Sequence, residues 1–332
     1  MRLKTWMLLI VFLMGTVPLS ARVALLVEQP FGRFAFFTPT GHAAIYLSRV
    51  CAETPTKLRL CEAGETGVVI SRYNRIGGFD WIAIPPLPYF YAVDRVDAVP
   101  QSVNADLADQ LKDGYRRAHL RMLAPDGPEG ETPKGDWVQL LGVAYDRSVH
   151  AFAFETKLED DERLIWLLNS QQNQRKFNLF YRNCADFARG IINFYHPGML
   201  RRNYIADVGI STPKNLGRVL VKYFEHRPRL GFWHFLVPQI PGLPTSKNAR
   251  GVSESLIRSK KYVVPLLFVE PWVAAVAGVA YLTYGRFDPA KLPHTVCEPR
   301  SLTAFMTTGK PEAHPAGESI AGLIEAGASA GR

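Results

Sequence analysis

Two residues of the sequence have the types and local settings that thiol chemistry requires, Cys184 and His42. A cysteine attacks a carbonyl carbon as the thiolate, which a helix N-terminus and a nearby imidazolium both stabilise. Cys184 follows Asn183 and precedes apolar residues at helical spacing, so we expect it at the start of a helix. His42 lies in a predicted strand, where Ala44 and Tyr46 would fix it against the core. The pair therefore predicts a nucleophile and its base.

The same chemistry needs a group that orients the imidazole and stabilises its charged form. Glu62 is the candidate, because it lies on the strand that we expect to pair with that of the histidine, and Glu65 is the alternative. An oxyanion would accept a hydrogen bond from the backbone N–H of Cys184, with a second donor from Tyr181 or Asn183. Tyr181 also fits a core position and Asn183 a helix cap, so both assignments stay open.

Two short motifs carry a family resemblance. Residues 41–47, which read GHAAIYL, and residues 183–187, which read NCADF, resemble the histidine strand and the cysteine helix of circularly permuted NlpC/P60-type thiol enzymes, including the lecithin:retinol acyltransferase-like proteins. In that group the histidine precedes the cysteine, which is the order found here. The Asn-Cys helix start is also similar to an exported bacterial family of unknown activity.

The resemblance implies a papain-like fold with Cys184 as nucleophile, His42 as base and Glu62 at the third polar position, in the following strand. Acyltransferase-like members usually have a histidine there, so a glutamate favours the bacterial hydrolases. The expected activity is that of a cysteine hydrolase or acyltransferase that cleaves amide or ester bonds through a thioester. The alternative is a membrane-associated binding or scaffold module that has the fold without turnover.

The other cysteines and the histidines predict a disulfide and no cofactor. Cys51 and Cys61 flank a turn, and two antiparallel strands could bring their Cα atoms within the roughly 7 Å that a disulfide allows. Cys297 lies in a proline-rich segment and has no predicted role. Motifs for zinc, nucleotides and serine hydrolases do not occur, so we expect neither a metal nor an organic cofactor. Ligand-like spacing is also missing among His150, His196 and His234.

The first residues predict export. Arg2 and Lys4 precede the apolar run Trp6–Met14, and small residues follow up to Ala21, which is the layout of a secretory signal peptide, cleaved or retained as an anchor. The formal net charge of +9 is scattered in short pairs, so we expect no nucleic-acid partner. We expect a periplasmic or cell-envelope protein, associated with the membrane, whose substrates are peptide, cell-wall or lipid-derived acyl groups.

The mixture of strand and helix patterns predicts an α+β fold, in which an antiparallel sheet packs on the helix that begins at Cys184. We divide the chain into a signal peptide (1–21), a catalytic domain (22–210) with an insertion at about 85–136, a proline- and aromatic-rich extension (211–261), an apolar segment (262–285) and a flexible tail (286–332). The apolar segment is long enough to span a membrane, but its flanking charges run against the positive-inside tendency. A span, a membrane-facing hairpin and a buried helix therefore stay open.

Overall fold

The computed structural model describes residues 21–32, 39–74, 76–174, 176–227 and 230–308. Its strands are β1 (Ala21–Glu28), β2 (His42–Leu47), β3 (Val50–Thr54), β4 (Lys57–Leu60), β5 (Val68–Ser71), β6 (Ile82–Ile84), β7 (Val149–Thr156), β8 (Phe232–Val237) and β9 (Thr295–Val296). Its α-helices are α1 (Pro86–Tyr91), α2 (Ala105–His119), α3 (Val143–Asp146), α4 (Leu158–Ser170), α5 (Cys184–Tyr195), α6 (Pro213–Glu225), α7 (Val252–Ile257), α8 (Lys260–Val269), α9 (Pro271–Ala280) and α10 (Pro299–Thr308).

Seven of the strands in the described part of the chain form one mixed sheet, in the order β6-β5-β2-β1-β7-β8-β9. The neighbours are antiparallel except β8 and β9, which are parallel. Strands β3 and β4 form a separate hairpin. The fold is therefore α+β, as the sequence predicts, with a mixed rather than a purely antiparallel sheet.

Strand β1 occupies the centre of the sheet, although the sequence analysis did not predict it. It pairs with β2 on one side and with β7 on the other, and its residues from Val23 to Val27 are no more than 1% exposed. Because both faces of a central strand are covered, its sequence shows a continuous apolar run instead of an alternation.

Successive side chains of a strand point to opposite faces, and each face of this sheet has its own core. Ala44 and Tyr46 of β2 belong to a cluster that includes α1, the segment around Trp137 and α10. Ala43 and Ile45 face the other cluster, which α4, α5 and α6 cover. By this alternation His42 lies on the α1 face, whereas the helix that begins at Cys184 packs on the opposite face.

The predicted division of the chain differs from the structure at the insertion, the extension and the tail. The supposed insertion at 85–136 contributes buried residues such as Phe90 and Tyr115 to the core of one face. The supposed extension contains α6, which Thr212 caps and which starts with a proline at its first position, where a proline is well tolerated. It also contains β8, which belongs to the same sheet, so the domain predicted for residues 22–210 extends beyond residue 210.

The supposed flexible tail starts with ordered structure. Strand β9 pairs with β8, and α10 buries Leu302 and Phe305 against the sheet. The prolines in this part of the chain stand at the ends of elements, which is why they resemble loop signals in the sequence. Residues beyond 308, and residues 1–20 of the predicted signal peptide, lie outside the described part.

The apolar segment 262–285 is divided between two helices. α8 ends at Val269, and Glu270 has an extended backbone (φ −140°, ψ 70°) before α9 begins at Pro271. α9 then continues into a wider turn at Tyr281–Gly285. In the part of the chain that the structure describes, every helix is too short or too polar to cross a membrane.

Candidate active site

Cys184 is the first residue of α5, and hydrogen bonds hold the start of this helix in place. The side chain of Asn183 accepts a hydrogen bond from the Asp186 N–H at 2.8 Å, and Asp186 accepts one from the Asn183 N–H at 3.4 Å. This reciprocal pair is a capping box. Asp186 also binds Arg202 at 2.7 Å and the Ser211 hydroxyl at 2.6 Å. The cysteine therefore stands on a rigid helix terminus.

His42 opens β2, and a serine on the neighbouring strand holds its imidazole. Nε2 of His42 lies 2.7 Å from Oγ of Ser71. The hydroxyl of Ser71 donates its single proton to the Ala43 carbonyl at 2.8 Å, so its oxygen can only accept from the imidazole. Nε2 therefore carries the ring proton, and Nδ1 is left with a free lone pair, as a base requires. Tyr73 stacks on the ring at 4.7 Å.

The entry to β2 requires a glycine. Gly41 has a φ of +74°, and a Cβ at this position would lie 2.1 Å from the carbonyl oxygen of Glu28. A side chain would therefore both strain the backbone and collide with β1. Gly41 allows the chain to enter the sheet so closely to β1 that His42 pairs directly with Glu28.

Cys184 and His42 line the same cleft, which has a volume of about 270 Å³. Its lining includes Gly41 and His42 at the start of β2 and Asn183 and Cys184 at the start of α5. The β2–β5 ladder begins only at Ile45, so the edge of Ala43 is not paired with β5. The backbone N–H groups of Ala43, Ala185 and Cys184 instead favour the thiolate form of Cys184, so they act to lower the pKa of its thiol.

Burial keeps both groups neutral in the resting structure. It raises the pKa of the Cys184 thiol to about 11, a shift that the hydrogen bond from Ala43 opposes and the charge of Glu28 increases. Burial also lowers the pKa of His42 to about 4, although the charge of Glu28 acts in the opposite direction. At a pH between these two pKa values, Cys184 is a thiol and His42 a neutral imidazole. They are not the thiolate and imidazolium of an activated pair.

A buried carboxylate lies beside the histidine. Glu28 is fully buried, accepts a hydrogen bond from the Tyr89 hydroxyl, and has Arg147 Nε 3.1 Å from its Oε2. Its charge would favour an imidazolium at His42 more than a neutral ring. Glu28 and Ser71 are thus the polar residues that the structure places beside His42, where a single third residue was expected.

The structure does not place Glu62 or Glu65 at the histidine. Residue 62 follows β4, and β4 pairs with β3, whereas the neighbours of β2 are β1 and β5. Glu62 is exposed, and Glu65 is bound to Arg59 at 2.6 Å. The expectation failed because the chain places a separate hairpin between the two paired strands, so the next polar strand in sequence is not the next strand in space.

Neither side chain expected to bind the oxyanion is available in this structure. Tyr181 is 71% exposed and lines a different pocket from that of Cys184. The amide of Asn183 donates to the carbonyls of Leu179 at 2.9 Å and Ser211 at 3.1 Å, so both of its N–H groups are engaged. Of the first turn of α5, the backbone N–H of Asp186 is bound to the Asn183 side chain, so the N–H groups of Cys184 and Ala185 are the remaining candidate donors.

Sequence reasoning missed Ser71 and Arg147. Ser71 ends the apolar run Val68–Ile70 and shares its face with Val69, so the alternation of a strand placed beside His42 would have found it. Arg147 lies 105 positions from His42 along the chain, and no local pattern connects the two. Only the assembled sheet brings it to the cleft.

Cys51 and Cys61, the pair predicted to bridge, form a disulfide that joins β3 to the residue after β4. Within the described ranges, the only group with the geometry of a metal site is these two cysteines with Glu65. Because both sulfurs are bonded to each other, they are not free to act as thiolate ligands.

Comparison of the chain with protein-family models, with curated proteins and with solved structures finds no match.

Proposed function

We propose that the chain is a papain-like cysteine hydrolase or acyltransferase of the cell envelope, with Cys184 as nucleophile and His42 as base. The observation that supports this most is that both residues line one cleft, with Ser71 holding the imidazole in the tautomer that a base needs. A capped helix start and an imidazole held by a third group are the arrangement on which thiol acyl transfer depends.

In the proposed mechanism Nδ1 of His42 takes the thiol proton as the sulfur of Cys184 attacks the carbonyl carbon. First-turn backbone N–H groups of α5 stabilise the oxyanion. The imidazolium then gives its proton to the leaving amine or alcohol, and a thioester forms at Cys184. Water or another acceptor loses its proton to His42 and attacks the thioester, which releases the acid or the new acyl product and restores the thiol.

Because the Cys184 thiol and the His42 imidazole are both neutral at rest, the first proton transfer of this mechanism needs an explanation. A thiol with a raised pKa does not ionise alone near neutral pH, so the proton must move to His42 during attack, or substrate binding must first change the site. Glu28 favours the charged imidazole that results. The same neutral pair is the observation that favours the second candidate, a membrane-associated binding module without turnover.

The test is acylation by a generic donor, p-nitrophenyl acetate. We expect a burst of one equivalent of p-nitrophenolate and an increase in the intact mass by one acetyl group on Cys184. The His42→Ala variant should lose most of the burst, Cys184→Ala all of it, and Glu62→Gln none. A wild-type protein that shows no burst and no acetyl adduct from pH 5 to 9 would reject turnover and leave the binding module.

We also propose export and association with the membrane surface. The disulfide suits an oxidising compartment. The apolar hairpin of α8 and α9 exposes Phe268 and Trp272, as would a surface that contacts lipid. Peptide, cell-wall and lipid-derived acyl groups are the proposed substrates, because these are what a thiol acyltransferase meets at this location.

A further inference from the structure

Arg147 is a buried arginine at the candidate active site. It follows α3, is 3% exposed, and lines the cleft that contains Cys184 and His42. Its guanidinium lies 4.7 Å over the ring of Phe31, and its Nε lies 3.1 Å from Oε2 of Glu28. The arginine is thus fixed in place by a ring on one face and a carboxylate at one edge.

The hydrogen-bonding groups of Arg147 are not used by the described part of the protein. Nε is close to Glu28 but not aligned for a hydrogen bond, and both atoms are buried without a partner. Arg72, which lines the same cleft, donates from Nε and Nη2 to Asp80, each at 2.7 Å. The donors of a buried arginine are normally hydrogen-bonded like those of Arg72, because an unpaired buried donor destabilises the fold.

The charges around the cleft restrict where an anion could bind. Arg72 is neutralised by Asp80, while Asp136, the acidic residue that lines the cleft, accepts a hydrogen bond from Gln139 at 3.2 Å. Asp136 would repel an anion near it. Glu28 lies against Nε of Arg147 but accepts no hydrogen bond from it. The guanidinium of Arg147 is therefore the group in the cleft whose donors an anionic group could still use.

We propose that Arg147 binds an anionic oxygen group, a carboxylate or a phosphate, of the acyl substrate while Cys184 attacks its carbonyl carbon. Two parallel N–H groups of a guanidinium match the two oxygens of such a group, and charge-assisted bonds of this kind are about twice as strong as neutral ones. This inference rests on the proposed function and narrows it to substrates with a negative charge near the scissile bond.

The experiment uses iodoacetyl probes that alkylate Cys184 and differ only at their far end. Each probe ends in a carboxylate, a phosphonate or a neutral carboxamide, at three spacer lengths, and the alkylation rate of Cys184 is measured by mass spectrometry. For at least one spacer we expect an anionic probe to react about tenfold faster than its carboxamide, relative to the same ratio for a free thiol. The preferred anion then distinguishes carboxylate from phosphate.

Variants of Arg147 test whether this residue causes the preference for anionic probes. Arg147→Gln should reduce the ratio of anionic to carboxamide rates to about one, whatever its effect on the carboxamide rate itself. Arg147→Lys should retain part of the preference, because lysine has the charge but not the two parallel N–H groups of a guanidinium. Since Arg147→Gln leaves Glu28 unpaired and could unfold the protein, acetate and inorganic phosphate are also tested in the wild type. They should slow alkylation by the carboxamide probe.

The outcomes separate the two hypotheses. Fast, His42-dependent alkylation with equal rates for anionic and neutral probes, and no protection by either anion, would overturn the role of Arg147 and leave the proposed function intact. A preference that persists in Arg147→Gln would overturn it as well. A Cys184 that reacts with no probe would contradict the proposed function, and with it this inference.

Discussion

Ser71 controls the proton of His42 because its own hydroxyl proton is already committed to the Ala43 carbonyl. A serine holds the ring in one tautomer but brings no charge, unlike a carboxylate. The stabilising charge comes instead from Glu28, which is buried opposite His42 in the sheet. If the site is catalytic, orientation and electrostatic stabilisation of its imidazole are therefore provided by different residues.

Removing the hydroxyl of Ser71 tests this interpretation. In Ser71→Ala the imidazole loses its acceptor at Nε2, and we expect the burst rate with p-nitrophenyl acetate to fall by about tenfold or more, in line with the loss of one buried hydrogen bond to a group that becomes charged. ¹⁵N NMR of the imidazole should show loss of the Nε2–H tautomer. Ser71→Thr should restore both the burst rate and the NMR signal of the Nε2–H tautomer.

Glu62→Gln is the matched control for that variant. It changes the residue that the chain order indicated, and the structure gives it no contact with the histidine. A large effect of Glu62→Gln together with a silent Ser71→Ala would mean that the β2–β5 arrangement is wrong at the site.

At the scale of elements, α8 and α9 expose an unusual amount of apolar surface. Phe268 is 85% exposed, Val269 74% and Trp272 66%. The small residues of α9, which are Ala274, Ala277 and Ala280, face the body of the protein, so its larger side chains point outward. Each helix has ten residues, or about 15 Å, which is half the thickness of a hydrocarbon core. Neither helix alone is long enough to cross a membrane.

We expect the protein to sediment with vesicles that contain phosphatidylglycerol, and the double variant Phe268→Ser/Trp272→Ser to bind at least about tenfold more weakly, because it removes two large apolar side chains from the interface. Trp166→Ser is the control, since this tryptophan is 71% exposed on α4, outside the hairpin. Equal binding of all three proteins would contradict the membrane contact. Concentration-dependent dimers that the double variant abolishes would reassign the surface to a second copy.

The β3–β4 hairpin combines two short strands with a disulfide. The bridge closes a loop with a sequence separation of 10, and chain-entropy arguments give such a loop about 2–3 kcal/mol of stabilisation. We expect Cys51→Ala/Cys61→Ala to lose about that much free energy of unfolding in urea. A reducing agent should destabilise the wild type similarly and leave the variant unchanged. Insensitivity of both proteins to the reductant would contradict the bridge.

At the scale of the whole molecule, three buried histidines make stability sensitive to acid. Burial lowers the pKa of His42 and of His150 to about 4, and that of His234 to about 3. His150 and His234 hydrogen-bond each other at 3.2 Å, beside the ring of His294. Each ring is kept neutral in the fold but takes up a proton near its ordinary pKa of 6.5 when the chain unfolds.

This linkage sets the direction of the pH dependence. The stabilisation is complete above pH 6.5 and is lost as the pH falls from 6.5 toward 4, because the unfolded chain binds more protons in that window. Asp161 and Asp207 act in the opposite direction, since burial raises the pKa of both, that of Asp161 to about 6, but they are two groups against three. A pKa difference of one corresponds to about 1.4 kcal/mol.

We therefore expect the midpoint of thermal unfolding to fall steeply between pH 6.5 and pH 4. His150→Gln cannot take up a proton at that position, so its midpoint should fall less over the same interval. His226→Gln is the control, because this histidine is exposed. A wild-type midpoint that is flat over this interval, or a His150→Gln slope equal to that of the wild type, would contradict the role of the buried pair.

The sequence by itself determined the local features, because neighbours along the chain decide them. Asn183 and Asp186 make the helix cap that starts α5, Gly41 permits the turn into β2, and the turn between β3 and β4 brings Cys51 to Cys61. The α+β class also followed from the mixed patterns. These features depend on a few adjacent residues and on their conformational preferences.

Only the tertiary structure decided which distant residues meet. Strand order placed Ser71 beside His42 and sent Glu62 to the surface, and the assembly of the sheet brought Glu28 and Arg147 to the cleft. It also made α6, β8, β9 and α10 parts of one body, although their prolines resemble those of loops. Pairing between strands far apart in the chain is selected by burial of whole faces, which a local pattern does not contain.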